Sequence, residues 1–140
     1  RARHGRVSTE RIVSGPGLIP VAETLAEMAG QSFTPTDDAA LWQAGLSGSD
    51  ALAVQAIDRF CLTLGSVAGD IALAQGGAGV VIAGGLGYRI RDVLVRSGFA
   101  ERFRAKGRFA GLMAGLPVKL IIHPQPGLFG AAAAFSLEHP

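Results

Sequence analysis

The stretch Gly79-Val80-Val81-Ile82-Ala83-Gly84-Gly85-Leu86-Gly87-Tyr88 decides the fold class, because an apolar run leads directly into a glycine-rich turn. Val80 to Ala83 is apolar at every position, which is typical of a buried parallel strand. The glycines then turn the chain into an amphipathic helix predicted over residues 88–97. Residues 118–122, which follow Pro117 and are apolar except for Lys119, predict another buried strand. Strands separated by helices indicate an α/β domain with a parallel component.

Two strands are too few for a stable sheet, so the sheet is expected to be incomplete in this chain. The composition agrees with that expectation. The 140 residues are 49% hydrophobic and only 17% charged, with a mean hydropathy of +0.34. These values exclude a disordered chain and predict surfaces that are buried against something outside it. The first residue is Arg1 rather than Met, which favours a processed chain or a fragment.

The rest of the chain is predicted to be mainly helical. The longest helix, residues 49–75, begins at a capping-box-like pair, Ser47 and Asp50, and ends at Gly76. Its apolar residues recur at helical spacing, and its small residues lie along one side, which predicts very close packing on a neighbour. The apolar set is Ala53, Ile57, Phe60, Cys61, Leu64, Val67, Ala68 and Ile71; the small set is Gly65, Ala68, Gly69 and Ala72.

Five shorter helices are predicted from capping residues and helix-ending glycines and prolines. They cover residues 8–13 with Ser8 as the N-cap, 18–29, a segment capped by Thr36 with Asp37 and Asp38 in its first turn, 99–105, and 128–137.

Composition also narrows the class of protein. The longest apolar run, residues 71–88, contains Gln75 and six glycines, so a membrane-spanning helix of ~20 residues is not expected. No apolar segment follows the N-terminal arginines, so no signal peptide is expected. The single cysteine, Cys61, excludes an internal disulfide and fits a reducing cytosol. A net charge of +2 is too small to imply nucleic-acid binding.

Residue patterns alone offer no catalytic centre. The Gly84-Gly85 turn can be read either as a ligand-binding turn or as a tight turn. Glu10 is explained by a solvent-exposed carboxylate near a helix N-terminus, Ser14-Gly15 by a turn that ends a helix, and His123 by a structural role. The basic and aromatic residues between Phe99 and Phe109 are best explained by an amphipathic helix with its phenylalanines inward and its charges solvated.

Taken together, several segments resemble bacterial glucokinase, the hexose kinase of the actin-like ATPase superfamily. Four sets of residues carry the likeness over essentially the whole chain. They are residues 7–18; Phe60-Cys61 with Gly65, Gly69 and Leu73; Gly79 to Leu86; and Ser97-Gly98-Phe99, Lys106-Gly107-Arg108-Phe109, Pro117-Val118 and residues 123–128. The resemblance implies a partial actin-like ATPase (ribonuclease H-like) domain, helix-rich with a few buried strands. It also implies that residues 1–140 form the C-terminal part of the large domain, with the last helix packing toward a missing small domain.

The resemblance assigns roles to residues that the patterns left open. Glu10 matches the glutamate that hydrogen-bonds hydroxyls of the bound hexose. Gly84 and Gly85 match the glycine pair that lies against the nucleotide, with Ser14 and Gly15 expected nearby. The implied substrates are glucose and ATP with Mg2+, and the implied enzyme is a cytoplasmic homodimer. This chain is expected to pair with itself or with the missing N-terminal part of the same protein.

The resemblance also implies that catalytic parts are missing. The Asp-Gly-Gly-Thr-type phosphate hairpin, the Asn-Asp pair with the aspartate base, the second phosphate loop and the Glu-Gly-Gly-His sugar contacts are not in this sequence. The chain alone is therefore expected to be inactive, because phosphoryl transfer depends on positioning and on charge stabilisation at the phosphates. Two alternatives remain: a non-catalytic sugar-kinase-like regulator or scaffold, and a nucleic-acid-binding domain that uses Arg102 to Arg108.

Overall fold

Eight helices and two short strands are present in the computed structural model, which describes residues 5–34 and 37–139. In chain order, after a 3-10 turn at Thr9–Arg11, they are α1 (Leu18–Met28), α2 (Asp38–Ser47), α3 (Ala51–Gln75), β1 (Val80–Ile82), α4 (Gly85–Arg89), α5 (Arg91–Arg96), α6 (Phe99–Arg104), a 3-10 turn at Gly107–Phe109, α7 (Ala110–Gly115), β2 (Val118–Leu120) and α8 (Pro126–Glu138). The predicted helix-rich α/β class is confirmed.

The ends of α3 follow from two local signals. Asp50 is the N-cap, and its side chain accepts a hydrogen bond from the Ala53 backbone N–H at 2.8 Å. Gly76 ends the helix in the left-handed conformation, φ +61°. The predicted capping box was wrong, because Ser47 is the last residue of α2 and its hydroxyl donates to the Ala44 carbonyl at 3.2 Å.

One face of α3 forms the centre of the core and packs against α1, α2 and α6. Its buried residues are Ala53, Ala56, Ile57, Phe60, Cys61, Gly65, Gly69 and Ala72. From the predicted apolar set, Leu64, Val67 and Ala68 are half-buried, and Ile71 is 52% exposed. The prediction for Ile71 was wrong because the core side of the last two turns belongs to the small residues.

The small residues of α3 bring the α6 backbone into direct contact with the helix. A Cβ on Gly65 would collide with the Phe99 carbonyl, and a Cβ on Gly69 would lie 2.5 Å from the Phe103 carbonyl oxygen. Phe99 and Phe103 are themselves buried and stack on each other at 6.2 Å. The predicted close packing is confirmed, and the neighbour is α6.

Lys106 fastens the end of α6 to the same part of α3. Its ammonium contacts Asp70 Oδ1 at 2.7 Å and donates to the Ser66 carbonyl at 2.8 Å. Only 8% of its side chain is exposed. The expectation that every charge in this segment is solvated was therefore wrong for Lys106, because the space above Gly69 accommodates its methylene chain.

The two strands pair in parallel, as predicted, with Val80 opposite Val118 and Ile82 opposite Leu120. Each covers three residues, shorter than the predicted runs. Val80, Ile82, Val118 and Leu120 pack against the core, but Val81 is 62% exposed. The prediction that both faces of the strands are buried was therefore wrong, since no described element covers the outer face.

The glycine-rich turn after β1 differs from its predicted form. The helix begins at Gly85 rather than at residue 88, and a break at the buried Ile90 divides it into α4 and α5. Gly84 has φ +106° and ψ 165°, a conformation that in practice only glycine adopts. The glycines thus form the start of the helix instead of leading up to it.

Two other helix starts were predicted differently. Ser8 precedes a 3-10 turn, not a full helix, and its side chain makes no capping bond. Thr36 lies outside the described residues, and α2 has Asp37 as its N-cap, with the Asp37 carboxylate accepting from Ala40 N–H at 2.8 Å.

The last helix, α8, has no buried residue. Its large apolar side chains include Leu128, Phe129, Phe135 and Leu137, which are 63–83% exposed. A helix that is apolar all round is typical of one that is covered by other parts of a protein.

We predict that Gly65→Ala destabilises the chain, because the new methyl group must displace the Phe99 backbone from α3. Overpacking of this kind costs roughly 1–3 kcal/mol of unfolding free energy. The control is Gly111→Ala in α7, where a Cβ would have no neighbour within 4 Å. That change should be neutral or stabilising by up to about 1 kcal/mol. Urea unfolding of both variants checks the prediction, and equal effects would contradict it.

Candidate functional site

Glu10 lies on the rim of an open cavity formed where the chain enters α1. Its carboxylate is exposed and sits in the 3-10 turn Thr9–Arg11. The cavity has a volume of about 290 Å3 and is lined by Ser8, Glu10, Arg11, Ser14, Pro16, Gly17 and Pro20. The lining therefore includes serine, glutamate and arginine residues, whose side chains can hydrogen-bond a ligand with several hydroxyl groups.

The turn after Glu10 folds back tightly on itself. Ser14 Oγ accepts a hydrogen bond from Gly17 N–H at 3.2 Å. A Cβ on Gly17 would lie 2.5 Å from the Ile12 carbonyl oxygen, so this position excludes any side chain. The sequence predicted a turn here, and the structure shows that it also brings Ser14 into the same cavity as Glu10.

Trp42 connects that turn to the helical core. Its indole N–H donates to the Gly15 carbonyl at 2.9 Å, and the ring meets Phe60 edge-on with centroids 5.2 Å apart. Trp42 is 1% exposed. Sequence reasoning missed this residue. The signal that could have found it is a lone tryptophan in an apolar helix, since a buried indole N–H needs an acceptor.

Gly84 and Gly85 form a second candidate site at the end of β1. A Cβ on either glycine would have no neighbour within 4 Å, so the backbone is open on this side. These glycines do not line the cavity beside Glu10. Close by, the Arg91 guanidinium lies 4.6 Å from the centroid of the Tyr88 ring and donates to the Tyr88 carbonyl at 3.0 Å. The glycine pair thus offers a backbone surface that a flat ligand can approach closely.

The remaining sequence candidates have structural roles. His123 is exposed, and its Nδ1 accepts from the Gln125 backbone N–H at 3.1 Å within the turn before α8. Phe99 and Phe103 point inward while Arg102 and Arg104 are exposed, which confirms the amphipathic helix. Phe109 is the exception: it is 39% exposed, with the Arg108 guanidinium 4.9 Å from its ring centroid.

Acidic and metal-binding side chains are dispersed. Within residues 5–34 and 37–139, no group of three or more His, Cys, Asp or Glu residues could hold a metal ion. The described residues therefore do not fit a complete Mg2+ site.

A second cavity, of about 230 Å3, lies between the sheet and the helices α5 and α6. Its floor is apolar and includes Ile82, Leu94, Phe99, Phe103 and Leu120.

Comparison with known proteins decides the family. The family model described as glucokinase matches residues 1–138 of this chain. The chain belongs to the glucokinase family. A glucokinase from Zymomonas mobilis is 57% identical over 139 residues, and one from Caulobacter vibrioides is 44% identical over 136 residues. The predicted family resemblance is confirmed.

A solved glucokinase structure, from an Antarctic psychrotroph, superposes with a TM-score of 0.87 at 34% identity, covering 98% of this chain. This chain is shorter than these relatives. It spans 43% of the Zymomonas protein, 40% of the Caulobacter protein and 43% of the chain in the crystal structure. The match confirms the glucokinase fold, with a sheet that is incomplete in this chain.

By length and composition, α3 also meets the criterion for a membrane-spanning helix, with a mean hydropathy of 1.3. The core helix of a globular domain meets the same criterion. Eight residues of α3 are buried against the other helices, as in a core helix.

Cys61 is not suited to act as a nucleophile in this chain. Burial raises the pKa of its thiol from 9.0 to about 11, Asp58 acts in the same direction, and a hydrogen bond with Ser97 opposes the shift. The thiolate is the reactive form, so Cys61 is unreactive near neutral pH.

We predict that a thiol reagent at pH 8 modifies Cys61 slowly in the folded chain and rapidly in denaturant. Because the folded-state pKa is raised, the stabilisation from this group is fully present below about pH 9 and is lost as the pH rises toward 11. The free energy of unfolding, measured as the pH is raised from about 9 toward 11, checks this loss of stability. The control is Cys61→Ala, which has no thiol to titrate. Fast labelling of the folded chain would contradict the prediction.

Proposed function

We propose that this chain is the C-terminal part of an ATP-dependent glucokinase, which phosphorylates the 6-hydroxyl of glucose to give glucose 6-phosphate and ADP. The observation that carries the proposal is the match of residues 1–138 to the glucokinase family, with 57% identity to a named glucokinase. The coverage of 43% of that relative supports the view that further segments complete the enzyme.

Glu10 is the proposed sugar ligand. Its carboxylate stands exposed beside a cavity that Ser14 also lines. A carboxylate accepts hydrogen bonds from two neighbouring hydroxyls, and a sugar that lacks one of them leaves an acceptor unpaired. The role of Glu10 is therefore to bind and orient the hexose and to discriminate among hexoses.

Gly84 and Gly85 are the proposed contacts for ATP, and Ser14 and Gly15 are proposed to bind it from nearby. The conformation of Gly84 requires glycine, and neither glycine has a neighbour where a side chain would stand. The nucleotide can therefore lie directly against the backbone. Mg2+, when bound, supplies charge neutralisation at the phosphates, and its ligands are assigned mainly to segments outside this chain.

The incomplete sheet and α8 are the proposed contacts with the rest of the protein. Val81 faces outward from β1, and the apolar side chains of α8 are exposed. We assign residues 1–140 to the large domain and α8 to the contact with the small domain. The complete enzyme is proposed to be a cytoplasmic homodimer.

The chain alone is predicted to form no glucose 6-phosphate, because the base and the phosphate loops are assigned to other segments. A coupled assay with glucose, ATP and Mg2+ tests this. The positive control is a full-length chimera in which this chain replaces the matching part of the Zymomonas mobilis glucokinase. Turnover by the isolated chain would contradict the assignment of the missing parts, and an inactive but folded chimera would contradict the proposed function.

In the same chimera, Glu10→Gln is predicted to lower kcat/KM for glucose. The loss corresponds to ~1.5–3 kcal/mol of transition-state stabilisation, the size of a charge-assisted hydrogen bond. Glu27→Gln is the matched control, because Glu27 is also an exposed glutamate and does not line the cavity. Equal values of kcat/KM for the two variants would contradict this prediction and show that Glu10 is only a surface carboxylate.

A further inference from the structure

Trp42 joins two parts of the molecule that are far apart in sequence. We define the Glu10 loop as residues 8–17, the segment that carries Glu10, Ser14 and Gly15. The indole N–H of Trp42 donates to the Gly15 carbonyl at 2.9 Å across 27 positions of sequence. The hydrogen bond therefore fixes the position of the loop relative to α2.

The other side of the Trp42 ring is held by the core. Phe60 of α3 meets it edge-on, with centroids 5.2 Å apart and the ring planes at 83°. Both rings are 1% exposed. A buried indole has one donor and no acceptor, so its orientation is set jointly by the Phe60 contact and by the Gly15 carbonyl.

Contacts within the Glu10 loop fix its shape but not its location. The Thr9 carbonyl accepts from Val13 N–H at 2.7 Å, and Ser14 Oγ accepts from Gly17 N–H. Such local bonds survive if the loop moves as a unit. The bond from Trp42 reaches the loop from outside and acts together with Val13, which packs against the core, and with Leu18 N–H, which also donates to the Gly15 carbonyl. Its loss is therefore expected to loosen the loop that carries Glu10 relative to α2.

We propose that Trp42 is a positioning residue, which holds the Glu10 loop where its side chains meet the sugar and the nucleotide. This inference rests on the proposed function, and it adds a residue that touches neither substrate. Its effect on the reaction is indirect, through the Gly15 carbonyl. The role needs the N–H donor specifically, and not only an aromatic ring at this position.

The first test uses Trp42→Phe in the 140-residue chain, because phenylalanine keeps the ring against Phe60 and removes the donor. Amide hydrogen exchange of residues 11–18 is expected to become roughly tenfold faster relative to the amides of α3, as expected for about 1.4 kcal/mol of lost local stability. Phe103→Leu is the matched control, since Phe103 is also 1% exposed and lies in α6, away from the loop. Unchanged exchange of the loop in Trp42→Phe would overturn the proposal.

The second test measures kinetics in the full-length chimera. Trp42→Phe is expected to raise the KM for glucose roughly tenfold while kcat changes much less, because a displaced loop weakens substrate binding. Phe103→Leu is expected to lower thermal stability and leave KM unchanged. An active chimera in which Trp42→Phe and Phe103→Leu have the same KM would overturn the positioning role and leave the proposed function standing. An inactive chimera would contradict the proposed function, and the exchange measurement would still decide whether Trp42 holds the loop.

Discussion

Two positions on α3, Gly65 and Gly69, have no side chain, and the packing of the rest of this chain depends on the close approach of α6 that this allows. At Gly65 and Gly69 the backbone of α6 approaches so closely that a methyl group would meet the carbonyls of Phe99 and Phe103. Helices with ordinary side chains at their contact pack 8–10 Å apart, and small residues reduce that separation. The close contact buries Phe99 and Phe103 and lets Lys106 reach Asp70.

The same helix also supports the candidate sugar site, through Phe60 near its middle. Phe60 on α3 contacts Trp42 on α2, and Trp42 holds the carbonyl of Gly15. Glu10 is exposed and makes no contribution to the core. Contacts from Phe60 to Trp42 and from Trp42 to Gly15 thus link the loop that carries Glu10 to the middle of α3.

How far the sequence could predict the site depends on the type of residue. The glycines of α3 predicted close packing, because a row of small residues along one side of a helix leaves room for a second backbone. From residue patterns alone, the Gly84-Gly85 turn could be a ligand-binding turn or a tight turn, and Glu10 was best explained as a surface acid. The resemblance to glucokinase is what assigned both to ligand binding, since an exposed acid or a glycine turn has many uses. Trp42 was missed: the lone tryptophan indicates that a buried indole N–H needs an acceptor, but its acceptor is a backbone carbonyl, and any residue in place of Gly15 would supply one.

The sequence by itself determined the elements whose signals are local. Asp50 and Gly76 set the ends of α3, apolar runs set the strands, and the family likeness was readable along the whole chain. Only the tertiary structure decided which faces are buried. It left Ile71 and Val81 exposed, and it joined Trp42 to Gly15. The physical reason is that hydrophobic periodicity marks a face as apolar, whereas burial requires a partner surface, and partners come from distant parts of the chain or from outside it.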